Sequence, residues 1–521
     1  MNMRSKTALL LALAVVLSAC TFGKGSDRHG FRPTYQPAAC PAEIATIVLT
    51  DVSCGTLTVL AHHGDPNHGK LKLFVARIQP GTSRPAPDPV LSLGGDLGVA
   101  PDYVTLGAQT AGLGREVIVL NVRGTGRSEP SLVCPEVDTL PSSPMSVPVD
   151  DPRTRSEFLA AISACHDRLV SQRIDLTAFD LREMAADAED LRAALGIDRW
   201  NLLATGTTSR IVLETLRRHP EHVRAAVLDS PEWPGVDPFV ESVQATRHAI
   251  AELVAACPAD AVCRRQTPNL KRDLETVLRR LAAKPYVADL GEKGRVDFDA
   301  GWLLVWLRAR LSFLRPPGTY VPHAIAEFAR GSERILRMQA SRLLGGESSS
   351  VGRQLCQGFL PNCWTQLVRS FGVYLSVMCR DVMPFTDASS LRDLVGDDPA
   401  FEEAYGHSPF LGVCGAWDAG RGDPIVATPV RSDVPVLVIV GRFDPFGMLP
   451  YAKQGTSTLP NSTLVVSPVN GHVVTGTEQQ VPHLCMVRVR DAWLGNPTSK
   501  SDTSCIERLR VDYSLALDWR L

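Results

Sequence analysis

The sequence has no dominant charge of either sign: 54 Lys and Arg stand against 56 Asp and Glu, a formal net charge of −2. That balance excludes the basic field with which a protein holds nucleic acid. No Gly-x-Gly-x-x-Gly dinucleotide turn, phosphate loop or close-spaced metal-ligand cluster stands out, so no cofactor and no metal is expected. His62 and His63, in Ala-His-His-Gly-Asp-Pro-Asn-His-Gly, read as a solvated hairpin turn. The N-terminal apolar run, Ala8 to Val16, is far short of the about 20 residues that cross a bilayer. A second run, Trp302 to Leu314, is only about 13 residues long and is interrupted by Arg308 and Arg310, which suits a helix packed over a cleft better than a membrane-active stripe.

What is present can bury a large core. The chain has 521 residues, 44% apolar and 21% charged, more than one simple domain needs. Arg4 and Lys6 precede the apolar run, and Leu17-Ser18-Ala19-Cys20 follows it. This reads as an export signal over residues 1–19, similar to that of bacterial lipoproteins, with Cys20 as the lipidated first mature residue. Residues 20–38, polar and bearing Gly and Pro, would then tether the protein at the outer side of the cell membrane. Without Cys20 the thirteen cysteines become an even twelve, as expected of disulfides in an oxidising compartment. Sequence proximity suggests Cys40 with Cys54, Cys134 with Cys165, Cys257 with Cys263, Cys356 with Cys363, Cys379 with Cys414 and Cys485 with Cys505.

From 39 to 231, short apolar runs alternate with helical stretches such as Met184 to Leu195, predicting a mostly parallel sheet covered by helices. From 232 to 407 strand signals nearly vanish and helical periodicity takes over. Strands return within 408–521, at Val434.

Trp200 to Pro231 reads as a buried strand, a tight turn, a helix and a second strand. Trp200, Asn201, Leu202, Arg210, His219, Pro220 and Glu221 keep the frame of a nucleophile elbow, in which Gly-x-Ser-x-Gly lifts a hydroxyl above the sheet. Ala204 stands where the first Gly belongs, Gly206 where the Ser belongs and Thr208 where the second Gly belongs. The segment resembles that of the secreted tripeptidyl and prolyl aminopeptidases, an α/β-hydrolase-fold family. The resemblance implies an α/β-hydrolase fold with a mostly parallel central sheet, and it identifies 232–407 as a helical cap inserted between two parts of the core.

It also supplies roles. Asp444, after the apolar strand Val434–Val440, and His472, in Asn-Gly-His, correspond to the acid and the base of a triad whose nucleophile position, Gly206, has no side chain. The chain order nucleophile, acid, His is that of this fold. Thr207 would offer its N–H to an oxyanion, with Gly95 and Asp96 on the second oxyanion loop. There Asp96 replaces a Pro and sets a carboxylate against the charge such a hole stabilises. Ala204, Thr208 and Asp96 are expected to distort the elbow and this loop. Asn121 replaces an Asp in the turn that keeps Arg123, Gly124, Gly126, Arg127 and Ser128, and Arg123 is available to bridge loops. Asp381 is a candidate for binding a substrate amino terminus, against the usual role of an Asp at a helix end as a cap.

Three readings follow. The first is a lipid-anchored relative without serine chemistry, binding a peptide, a small acyl or amide ligand, or an envelope protein. The second is an active peptidase or esterase with a displaced hydroxyl from Thr207, Thr208 or Ser209, working with His472 and Asp444. The third is a disulfide-stapled interaction module with no ligand in the cleft.

Overall fold

The computed structural model describes residues 31–45, 51–99, 111–138, 152–312, 320–344, 370–387, 389–396, 398–406, 412–447, 449–476 and 484–513. The export signal, Cys20 and the pair Cys356 and Cys363 lie outside the described residues.

Eleven strands are described. They are β1 Thr34–Ala38, β2 Val52–His62, β3 Asp65–Ile78, β4 Val90–Ser92, β5 Val117–Leu120, β6 Trp200–Thr205, β7 Val223–Asp229, β8 Tyr286–Asp289, β9 Arg295–Phe298, β10 Val436–Gly441 and β11 Ser462–Ser467. Nine of them form one sheet in the order β1-β2-β3-β5-β4-β6-β7-β10-β11. The pairs from β5 through β11 are parallel, and β1, β2 and β3 add an antiparallel edge. The central strands β5 and β10 are continuous apolar runs, and β7 carries one from Ala225 to Leu228, because helices cover both faces, leaving no solvated side to alternate toward.

One face packs on the helices Pro152–Ser171, Leu181–Ala194 and Ser209–Arg218 and on the segment between β7 and β10. The other packs on the helix Leu484–Gly495 through Met486, Val489 and Trp493. Among the described residues, the chain between β7 and β10 is helical except for the hairpin β8–β9. Its helix Ala300–Ser312 carries Trp302 and Trp306 and is buried all round, as an evenly apolar helix must be.

Five disulfides join the cysteines that sequence proximity pairs: Cys40–Cys54, Cys134–Cys165, Cys257–Cys263, Cys379–Cys414 and Cys485–Cys505. Three expectations are corrected. Residues 34–38, read as the end of a tether, form β1, because Thr34 to Ala38 find ladder partners from Thr58 to Cys54. The hairpin β8–β9 was hidden in a stretch read as helical, its two strands being only four residues each. The third concerns His63. The turn between β2 and β3 is a hairpin as read, but His63 is 6% exposed and wedged between Glu183 and Asp190.

Candidate active site

The triad and oxyanion positions of the candidate site lie at or just beyond the carboxyl ends of parallel strands, where open α/β sheets place their ligands. Gly206 follows β6, Asp96 follows β4, Asp444 follows β10, His472 follows β11, and Asp229 ends β7.

The elbow keeps its shape. β6 runs into a single tight turn, Gly206–Thr208, and then the helix Ser209–Arg218. Gly206 has φ +52, the left-handed conformation that a nucleophile elbow imposes and that glycine adopts without strain. Thr208 does not distort the turn: its hydroxyl donates to Thr205 O at 2.8 Å and accepts from Thr205 N at 3.3 Å. Ala204 sits fully buried in the strand without disturbing it. The expectation that these two residues distort the elbow is therefore corrected, since a methyl and a local hydroxyl bond both fit the tight turn.

Asp96 is different. A Cβ built on Gly206 would come under 3.0 Å from Asp96 Oδ1, closer than real Cβ atoms approach, and would lie 3.4 Å from His472 Nε2. The carboxylate fills the volume a seryl side chain would take. Asp96 Oδ1 also accepts the Thr207 N–H at 3.0 Å, the donor that would receive an oxyanion, and the Thr207 hydroxyl at 3.2 Å. Thr207 Oγ1 in turn accepts from Leu97 N at 2.6 Å. No side chain is within 4 Å of a Cβ built on Gly95.

His472 is oriented as a triad base would be. Its Nδ1 lies 3.1 Å from both carboxylate oxygens of Asp444, and the backbone N–H groups of Phe446 and Gly447 donate to Asp444 Oδ1 at 2.8 and 3.0 Å. Burial pushes the imidazole toward its neutral form, but Asp444, then Asp96 and Asp229, outweigh it and hold His472 at about 9. The carboxylates of Asp444 and Asp96 therefore favour the charged form of the ring. The charge and hydrogen bond of His472, with the N–H groups of Phe446 and Gly447, keep Asp444 below the usual carboxylate range despite its burial.

The loop bearing His472 is held from three sides. His472 N donates to Ser312 O at 2.8 Å, tying it to the end of the buried helix Ala300–Ser312. A Cβ at Gly471 would run into the Leu311 carbonyl, which is why Asn470-Gly471-His472 needs glycine there. Val473 has φ +55, a strained conformation for a β-branched residue. It persists because Val473 N donates to Ser230 Oγ at 2.8 Å, while Asp229 accepts from Val474 N at 2.8 Å and from Thr475 N and Oγ1 at 2.6 Å.

Residues 89–284 match the α/β hydrolase fold family, and residues 398–505 match the TAP-like protein family. This chain is a TAP-like α/β-hydrolase-fold protein. The proline iminopeptidase of Mycobacterium smegmatis is 14% identical, with a TM-score of 0.36, over 83% of this chain and 97% of that one. A proline iminopeptidase-related protein of Thermus thermophilus is 18% identical, with a TM-score of 0.31, over 82% and 92%. A thermophilic esterase from Thermogutta terrifontis is 14% identical, with a TM-score of 0.33, over 83% and 96%. No curated protein matches the sequence.

Several residues of this hydrolase-fold site carry no motif. Glu232 N donates to Gly206 O at 3.3 Å, and its carboxylate receives Arg210 Nε at 3.2 Å. Glu241, on the helix Pro238–Ala256, is 4% exposed, and its Oε1 has no hydrogen-bond partner. Burial first, then the charge of Glu232, pushes its carboxyl well above the usual range; Arg210, Asp444 and Arg308 also lie within its field. Arg308 caps the Phe446 ring at 4.0 Å, and Phe446 stands 4.9 Å from the His472 ring. The sequence signal for Glu241 is the acidic residue it places on a mostly apolar helix.

The remaining candidates fall elsewhere. Asp381 accepts from Leu181 N at 2.7 Å, at the start of the helix Leu181–Ala194, so it is a helix-end acceptor. Burial, with Asp180 nearby, raises it to about 7. Ser209 Oγ is fully buried with no hydrogen-bond partner. Arg123 bridges as expected: fully buried, it pairs with both oxygens of Asp187 at 2.7 and 2.6 Å and donates to the carbonyl of Ala61 at 2.8 Å.

Proposed function

We infer that this TAP-like protein is an exported, lipid-anchored binding protein that has given up serine hydrolysis, its cleft taking a peptide or a small acyl or amide ligand. The observation that carries this reading is the position of Asp96. Its carboxylate fills the space above Gly206 and takes the Thr207 N–H, so the site holds its own anion where a tetrahedral intermediate would put one. Asp444 and Asp96 together favour the charged form of His472, which opposes its use as the base that activates a hydroxyl.

The displaced-hydroxyl alternative loses support for the same reasons. The Thr207 hydroxyl is engaged with Asp96 and Leu97, and the Thr208 hydroxyl with Thr205. Ligand binding is favoured by Glu241, a buried carboxyl with an unpartnered oxygen in the field of Asp444, which suits a donor such as a peptide amino group. Lipid anchoring rests on the sequence around Cys20 alone.

The deciding experiment exposes the mature, non-lipidated protein and its His472→Ala variant to a fluorophosphonate, with intact-mass and peptide-map detection and an active family enzyme as control. No adduct is expected. An adduct on Thr207, Thr208 or Ser209 that vanishes in His472→Ala overturns the reading. Peptide-library binding then separates a ligand-binding cleft, which gives saturable binding, from a purely structural module, which gives none. Membrane partition of the full chain against Cys20→Ala tests the anchor.

A further inference from the structure

We propose that His62, His68 and Asp175 form a surface site for one zinc-class divalent ion, outside the hydrolase cleft. The three residues come from two distant parts of the chain. His62 ends β2 and His68 lies near the start of β3, so the hairpin presents two imidazoles together, ring centroids 5.2 Å apart and edge to face. Asp175 arrives from the turn after the helix Pro152–Ser171. One donor atom from each lies within 4.8 Å of the others.

Asp175 is held for this task. Its Oδ1 accepts from Thr177 N at 3.0 Å and from Thr177 Oγ1 at 2.6 Å, which leaves Oδ2 turned to His62 Nε2 at 2.9 Å. A carboxylate fixed by outer bonds through one oxygen and offered through the other is how ligating carboxylates are oriented in metal sites. The His62–Asp175 contact is now bridged by a proton, and zinc can replace it: bonds of about 2.0–2.2 Å to nitrogen and oxygen bring donors to a little over 3 Å apart. The adjustment falls on His68, whose side chain is 58% exposed and free to turn. Asp65, 3.9 Å from His68 Nδ1, adds negative charge beside the ion.

Two imidazoles and a carboxylate form a borderline-soft donor set that favours zinc over calcium or magnesium. Among the described residues two other groups have metal-like composition, and each is disqualified by its own contacts. Cys134 and Cys165, near Glu136, are joined in a disulfide. Glu189, near His219 and His222, is gripped by Arg192 at 2.9 and 2.6 Å, a cation already where the ion would go. A bound ion would clip the β2–β3 turn to the segment leading into the helix Leu181–Ala194. It would do so one residue from His63, which ties the same turn to Glu183 and Asp190 of that helix.

The test is calorimetric titration of Zn²⁺ into the mature, disulfide-bonded chain and into His68→Ala, Asp175→Asn and His222→Ala. One ion per chain is expected, with affinity falling about 10- to 100-fold in His68→Ala and in Asp175→Asn and unchanged in His222→Ala. Circular dichroism of His68→Ala, an exposed position, separates lost ligation from lost folding. The proposal is overturned if the parent chain takes no zinc, if binding survives His68→Ala undiminished, or if it disappears in His222→Ala.

Discussion

Two buried histidines, His63 in the β2–β3 turn and His472 after β11, occupy nearly the same electrostatic setting. Each loses charge stability to burial and regains it from carboxylates, and each is held at about 9. They differ in what faces the second ring nitrogen. His63 is engaged at both, Nδ1 by Glu183 and Nε2 by Asp190 at 3.0 Å, so it has no nitrogen to offer a ligand. His472 is engaged through Nδ1 by Asp444, while its Nε2 faces the nucleophile position, 3.4 Å from where a Cβ on Gly206 would stand. A perturbed histidine is therefore a poor marker of catalysis by itself. The nucleophile space beside it decides, and here that space holds Asp96.

The comparison is broken most strongly on the structural side. Asp187→Ala would leave Arg123 buried without its bidentate partner, so chemical denaturation should show a loss of about 3–5 kcal/mol. His472→Ala should lose less, about 1–3 kcal/mol, because Asp444 keeps the N–H groups of Phe446 and Gly447.

On the catalytic side, Gly206→Ser alone should gain little fluorophosphonate labelling, since the new side chain meets Asp96 Oδ1. Adding Asp96→Gly clears the hole and should raise the labelling rate by about 10²-fold over the single variant. Equal rates would mean that Asp96 is not what blocks the site.

The pH dependence of stability sharpens the likeness. Both histidines have folded values raised from the usual 6.5 to about 9. Their contribution is complete below pH 6.5 and is lost as pH rises through about 9. Unfolding free energy should fall over that window, by at most about 3 kcal/mol for each histidine. His63→Gln should remove part of the slope and His472→Gln another part; an unchanged slope in both would contradict the charge assignment. The smallest effect is expected at the elbow itself, where Thr208→Ala should cost about 1 kcal/mol through its two bonds to Thr205.

Much of the fold was legible because it is local. Val436–Gly441 is a buried apolar run with a Gly at its end, and the frame from Trp200 to Glu221 marks strand, turn and helix without tertiary information. The five described disulfides were readable from proximity because each closes a loop of 6 to 35 residues, where neighbours in sequence become neighbours in space. Short strands were not legible: β8 and β9, of four residues each, carry too little pattern to interrupt a helical stretch. His63 misled for a related reason, since its polar turn gave no sign that the helix Leu181–Ala194 would lay Glu183, Asp187 and Asp190 against it.

The sequence by itself determined the architecture, the elbow and the absence of a hydroxyl at Gly206, because backbone preference and apolar period are written residue by residue. Only the tertiary structure decided what that absence means. Asp96 reaches Thr207 across 111 positions, and Asp175 reaches His62 across 113. Where a carboxylate's charge is spent depends on which loops the sheet brings together at its carboxyl edge, and no local pattern records that.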